Sequence, residues 1–258
     1  MGLYRKIEKI VTRDNRDAGT WCRRSRFGKW IEDESVAAEY YIVSHLNTRA
    51  PSNTKAIFHV SGFPRQGNST LRLIFLNTFR DAAMPDPLIH VVSLTQKAIL
   101  DEEIIFLTIR NPHDAILSFM SMNTKLLPNE FIVLTSSGKK RVKIDRYIDF
   151  YTRYCVFIKN NINKITVIPF EKIIQMTDDY VAGNIENNEI IKSIADKYSL
   201  SITPSVKDYS AVSVFSTSNK EVERLYLSSS YYKRKLKKAN KLYKEIIELN
   251  HPNTWGHI

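Results

Sequence analysis

Cysteine is nearly missing from this chain: Cys22 and Cys155 are the two in 258 residues. Two thiols build neither a disulfide framework nor a thiolate metal site, so both are expected to be free. No HxxxH pair, cysteine cluster or grouped aspartates occur, so no metal is expected. No apolar run approaches the length of a membrane span. The opening MGLYRKIEKIVTRDNRDAG has no apolar core of a secretory signal, and Lys6 fills the Ser/Thr slot of a myristoylation start. A soluble cytoplasmic protein is the expectation. Internal repeats and low-complexity linkers are absent too, and the length fits one domain with a small extension. Acidic residues are in deficit, 27 against 38 lysines and arginines, which leaves a formal charge of +11 and favours anionic partners.

The most informative absence is one lysine. His59 to Phe75 reads HVSGFPRQGNSTLRLIF. Gly62, four residues, Gly67 and then Ser69 keep the frame of a triphosphate-binding loop, but Asn68 stands where that loop has its lysine. Asparagine is neutral and too short to reach terminal phosphates. The surroundings still suit an anion. Ala56 to Val60 is apolar and β-prone and reads as a strand, while Leu71, Ile74, Phe75 and Thr78 recur at helical spacing. A strand, a glycine turn and a helix place backbone N–H groups at a positive helix end. Pro64 stiffens the turn, Ser69 and Thr70 add hydroxyls, Asn68 can donate a hydrogen bond, and the positive charge sits earlier, on Arg65. An ordinary corner with a capping Ser or Asn has the same pattern, so the loop needs a second signal.

That signal is EEIIFLTIRNPHDAILSFMSM. Ile104 to Ile109 is an apolar, β-branched run that reads as a buried strand, with Glu102 and Glu103 ahead of it facing solvent. Ala115, Ile116, Phe119 and Met120 mark a helix that Asn111 can cap and Pro112 can begin. Arg110 then leaves the C-terminal end of a strand, the end at which ligands bind in a parallel sheet, and Ser118 sits in the following helix.

Together the two motifs resemble the sulfotransferases that use 3′-phosphoadenosine 5′-phosphosulfate (PAPS). That family has P-[KR]-x-G-[TS]-[TS] for the 5′-phosphosulfate and R-[ND]-P-x-[DA]-x-x-x-S for the 3′-phosphate. The corresponding residues here are Pro64-Arg65-Gln66-Gly67-Asn68-Ser69-Thr70 and Arg110-Asn111-Pro112-His113-Asp114-Ala115-Ile116-Leu117-Ser118. The likeness spans residues 55–122, and Asn68 departs from the usual hydroxyl residue. A weaker piece, Ile165 to Ile173, is similar to the family's strand ending in a Tyr-Glu-Asp-Leu turn, with Phe170 for the tyrosine.

The resemblance implies an α/β domain with a central parallel sheet flanked by helices, placed over residues 51–258. Residues 1–50, charged and containing Trp21 and Trp30, read on their own as a helical extension packed on that domain. The resemblance also implies PAPS as donor, its bisphosphate product PAP, and a small-molecule, carbohydrate or peptide acceptor with a hydroxyl or amine. Pro64 to Thr70 would hold the donor's 5′ end, and Arg110 with Ser118 its 3′-phosphate. Arg65 would neutralise the transferring group and its leaving phosphate, and as a guanidinium it cannot give up a proton at neutral pH. The general base stays open between Asp86, from a Pro-Asp-Pro turn, and His90, in the run Pro87 to Ser93 that reads as a strand. Two other readings stand beside this one. A P-loop nucleotide or small-molecule kinase is opposed by Asn68 and by the lack of a magnesium-binding acid after a strand. A non-catalytic basic binding protein would keep the pocket without the base.

Elsewhere, Glu130 to Leu134 and Arg141 to Ile144 flank Ser136-Ser137-Gly138-Lys139 as a hairpin. Asp145 to Ile162, Asn187 to Tyr198 and Tyr231 to Asn250 read as helices. The last is basic, with Leu236, Leu242, Ile246 and Leu249 as its apolar face. It reads first as the solvated face of a terminal helix. A basic lip for the 3′-phosphate, alone or with Ser216, Ser218 or Lys220, is the second reading. A nucleic-acid contact is the third, and nucleic acid is not the expected partner.

Overall fold

A computed structural model describes residues 54–63, 65–84, 92–126, 132–134, 140–142, 144–204 and 230–250. Residues 1–50, Pro64, Asp86, His90, Ser216, Ser218 and Lys220 lie outside them.

The chain forms an α/β fold with one sheet of four parallel strands. Strand β1 is Ala56–Gly62, followed by helix α1, Asn68–Thr78, and strand β2, Ala82–Ala83. Helix α2, Val92–Leu100, leads to strand β3, Ile104–Ile109, and helix α3, Pro112–Leu126. A separate antiparallel hairpin joins β4, Ile132–Leu134, to β5, Lys140–Val142, where the sequence placed it. Then come helix α4, Ile144–Asn160, strand β6, Thr166–Pro169, and helices α5, Phe170–Ala182, α6, Glu189–Tyr198, and α7, Ser230–Leu249. The sheet order is β2-β1-β3-β6.

Alternation along the strands divides the core in two. Phe58 and Val60 of β1, Phe106 of β3 and Ile168 of β6 face α1, α5 and α6. Phe58 packs edge-on against Phe75, Phe79 and Phe106, with ring centroids 4.9–5.8 Å apart. Ile105, Leu107 and Ile109 of β3 and Val167 of β6 face α3, α4 and α7. The apolar stripes at Leu71, Ile74 and Phe75 and at Ala115, Ile116, Phe119 and Met120 are buried, as their spacing predicts. Among the described residues no helix is long and apolar enough to cross a membrane.

Four expectations change. Val92 and Ser93 open α2 instead of extending a strand. Pro169 precedes a full helix, not a charged turn. Phe170, Ile173, Met176 and Tyr180 give the segment a buried helical stripe, and Glu171 complements the helix dipole in its first turn. The Glu103 side chain is buried: it turns inward beside β1, with a carboxylate oxygen 3.9 Å from the His59 ring, whose other nitrogen meets Thr95 at 3.2 Å. Leu249 is half exposed, because the stripe of α7 that meets α3 and α4 runs through Tyr232, Leu236, Ala239 and Ile246. A helix that turns 100° per residue carries Leu249 off that line.

Candidate functional site

The connection after β1 leads to β2 on one side, while the connection after β3 leads to β6 on the other. The crevice outside the C-terminal ends of β1 and β3 is therefore the topological switch point, where parallel sheets bind their ligands. The glycine loop leaves β1 there, and Arg110 leaves β3 beside it, because Gly62 and Thr108 are register partners.

The loop is fixed from inside. Gly62 has φ +154°, and a Cβ there would collide with Thr108 and Asn68. Gly67 has φ +86° and is the N-cap of α1, and a Cβ at this position would press on Ile173 at 3.1 Å. The Gln66 side-chain oxygen accepts from the Phe63 N–H at 3.1 Å, and the Asn68 amide donates to the Phe63 carbonyl at 3.0 Å. The Thr108 hydroxyl donates to the Asn68 side-chain oxygen, which ties the loop to β3. Both Gln66 and Asn68 are buried. The sequence reading gave the Asn68 side chain a donor role toward a ligand; here that donor serves the loop. The first turn of α1 carries no acidic residue to compete with an anion, and Ser69 is exposed within it.

Arg65 adopts a left-handed backbone, φ +67°, which is strained for a residue with a Cβ. The conformation turns its side chain across the loop, where Nε donates to Ser118 Oγ at 3.4 Å. Arg110 reaches the same corner from β3, donating from Nη1 to the Arg65 carbonyl at 3.4 Å. The Arg110 guanidinium lies over the Phe170 ring, 4.2 Å from its centroid, and the Tyr151 hydroxyl donates to the Arg110 carbonyl at 2.6 Å. The loop after β1 and the junction from β3 into α3 thus bring Arg65, Gln66, Gly67, Asn68, Ser69, Thr70, Arg110 and Ser118 to one rim.

Burial pushes the Arg110 pKa down, Asp114 and Glu171 oppose this, and Arg65 pushes it down further; the net direction is down. A guanidinium still keeps its charge at neutral pH. Two half-buried guanidinium groups that repel one another make a corner that an anion with several oxygens would relieve.

Sequence reasoning missed Phe170 as the platform under Arg110, although its place at the end of a parallel strand puts it on the same rim. It also missed Thr108 and Tyr151, whose hydroxyls hold the loop and the Arg110 backbone. Burial raises the Tyr151 pKa well above its usual value, aided by the neighbouring Cys155, so this phenol stays a donor. No protein-family model matches the chain, and neither a curated protein nor a solved structure does.

Proposed function

We propose that this chain is a cytoplasmic sulfotransferase that moves a sulfonate group from PAPS to a hydroxyl or amine acceptor. The observation that carries the reading is the meeting of Arg65, Ser118 and Arg110 at the switch-point crevice. The residues fit such a donor in kind: two guanidinium groups, a serine and a helix N-terminus without an acid meet at one rim, and each can bind phosphate or sulfonate oxygens.

When bound, the donor supplies an activated sulfonate on a phosphate leaving group. The chain contributes position and charge. Arg65 and the loop N–H groups neutralise the oxygens at the 5′ end. Arg110, held over the Phe170 ring, grips the 3′-phosphate with Ser118. Asp86 or His90 takes the acceptor proton.

Calorimetric titration with 3′,5′-adenosine bisphosphate, run beside ATP with magnesium, tests this. The bisphosphate should bind, and Arg110→Ala should weaken it by roughly ten- to a hundredfold, the loss of one charge-assisted contact of about 1.5–3 kcal/mol. Binding of ATP in place of the bisphosphate, indifferent to Arg110→Ala, points to the kinase reading. Bisphosphate binding with no transfer to any acceptor points to the non-catalytic one.

A further inference from the structure

The resemblance divides the donor between two motifs. The glycine loop takes the 5′ end, and the junction after β3 takes the 3′-phosphate. The contacts of Arg65 cross that division. Its Nε donates to Ser118 Oγ at 3.4 Å, and its carbonyl accepts from Arg110 Nη1 at 3.4 Å. Ser118 and Arg110 are the two residues given to the 3′-phosphate, and Arg65 touches both. The loop backbone imposes this. Arg65 is left-handed at φ +67°, next to buried Gln66, and the bonds of Gln66 and Asn68 to Phe63 hold the loop around it. A strained residue of this kind persists only where its surroundings over-determine it. Ser118 is buried and lies about 9 Å along α3 from Pro112, so the loop carries its guanidinium onto a second helix.

Both contacts are longer than the roughly 2.9 Å of a well-formed N–H···O bond, so shorter, charge-assisted bonds to phosphate oxygens can replace them. Charge points the same way. A phosphate monoester carries about −1.5 to −2 at neutral pH. Arg110 brings one positive charge, and Asp114 and Glu171 lie near enough to offset part of its field. Balancing the dianion takes a second guanidinium, and Arg65 is already beside Ser118.

We propose that Arg65 is a third ligand of the donor's 3′-phosphate, so that one guanidinium ties the two ends of the donor together; this rests on the sulfotransferase reading. Arginine suits both tasks. Its N–H donors lie on a rigid planar fork, so the Nε side bonds one phosphate while the far nitrogens bond another. Lysine is a compact point charge and cannot span two such groups. The residue type at position 65, where the resembling family admits either cation, thereby acquires a specific use. Selection of a nucleotide with a 3′-phosphate over one without it comes from the glycine loop as well as from Arg110 and Ser118.

Calorimetry with 3′,5′-adenosine bisphosphate and adenosine 5′-monophosphate isolates the contribution, because the two ligands differ in the 3′-phosphate alone. The full chain is measured as wild type, Arg65→Ala, Arg65→Lys, Ser118→Ala and the Arg65→Ala, Ser118→Ala pair, with urea denaturation to report that each is folded. Wild type should prefer the bisphosphate. Arg65→Ala should cut that preference by roughly ten- to a hundredfold, and Arg65→Lys by about tenfold, although it keeps the charge. The paired variant should lose less than the product of the two single losses, as residues sharing one phosphate do. If Arg65→Ala weakens both ligands by the same factor, Arg65 serves the 5′ end alone, and the assignment is overturned while the donor site stands. A wild-type preference in Arg65→Lys overturns the two-ended fork. Equal binding of the two ligands by the wild type overturns the donor reading itself, and this assignment with it.

Discussion

Replacing Phe170 with leucine removes the ring beneath the Arg110 guanidinium and leaves an apolar side chain in its place. The ring centre is 4.2 Å from the guanidinium carbon, and Phe170 is almost fully buried, so this contact is shielded from water on one side. A cation held over an aromatic face is worth about 0.5–1 kcal/mol at exposed sites and about 2 kcal/mol when desolvated. Half-buried Arg110 falls between these limits. Its other side-chain contact, to the Arg65 carbonyl, is long at 3.4 Å and does little to aim it. Without the platform the guanidinium must be ordered by the ligand itself. Affinity for 3′,5′-adenosine bisphosphate should therefore fall by roughly 5- to 15-fold, about 1–1.6 kcal/mol. Stability should change by less than about 1.5 kcal/mol, because volume is nearly kept. Phe170→Tyr should retain affinity. Calorimetry and urea denaturation on the same samples separate the two effects. Wild-type affinity in Phe170→Leu would refute the claim that the ring positions Arg110.

Asp81 and Cys155 make two further tests. Burial raises the Asp81 carboxyl, but Lys55 at 3.1 Å and the Ser201 N–H at 3.1 Å outweigh it and set its pKa below the ordinary value. A depressed carboxylate stabilises the fold above its unfolded pKa of about 3.9 and loses that contribution as the pH falls through the folded value. Wild type should thus exceed Asp81→Asn in denaturation midpoint at neutral pH, with the gap closing below about pH 4; a gap that widens in acid refutes the assignment. Burial pushes the Cys155 thiol up to about 12. In a Cys22→Ala background, a thiol reagent at about pH 8 should label Cys155 only on unfolding, and rapid native labelling would contradict its burial.

Sequence pattern carried the elements whose physics is local. Ile104 to Ile109 is β-branched and closed by Arg-Asn-Pro, and the Asn111 side chain does accept from the His113 N–H at 3.0 Å. Arg110 and Ser118 were legible because a single strand-to-helix junction carries both. Strand β2 was not legible: Ala82 and Ala83 have no β preference and are held by pairing with Ala56 and Ile57 of β1. Glu103 misled for the same reason, since a charged residue ahead of a strand looks solvated until the neighbouring strand brings His59 beside it. The stacking of Arg110 on Phe170 joins two strands' ends, and no spacing within either segment records it.

Asn68 and Thr108 are 40 positions apart, yet each is the other's buried partner. Their histories are therefore joined. Changing Asn68 alone to lysine removes the oxygen that accepts from Thr108, a hydroxyl packed inside the sheet, at a cost of about 1–3 kcal/mol. Changing Thr108 alone strands an amide oxygen. A lineage that moves from this loop to a lysine-bearing one must cross that barrier or alter both sites together. The missing lysine is then a locked choice, and covariation of positions 68 and 108 among descendants is its expected trace.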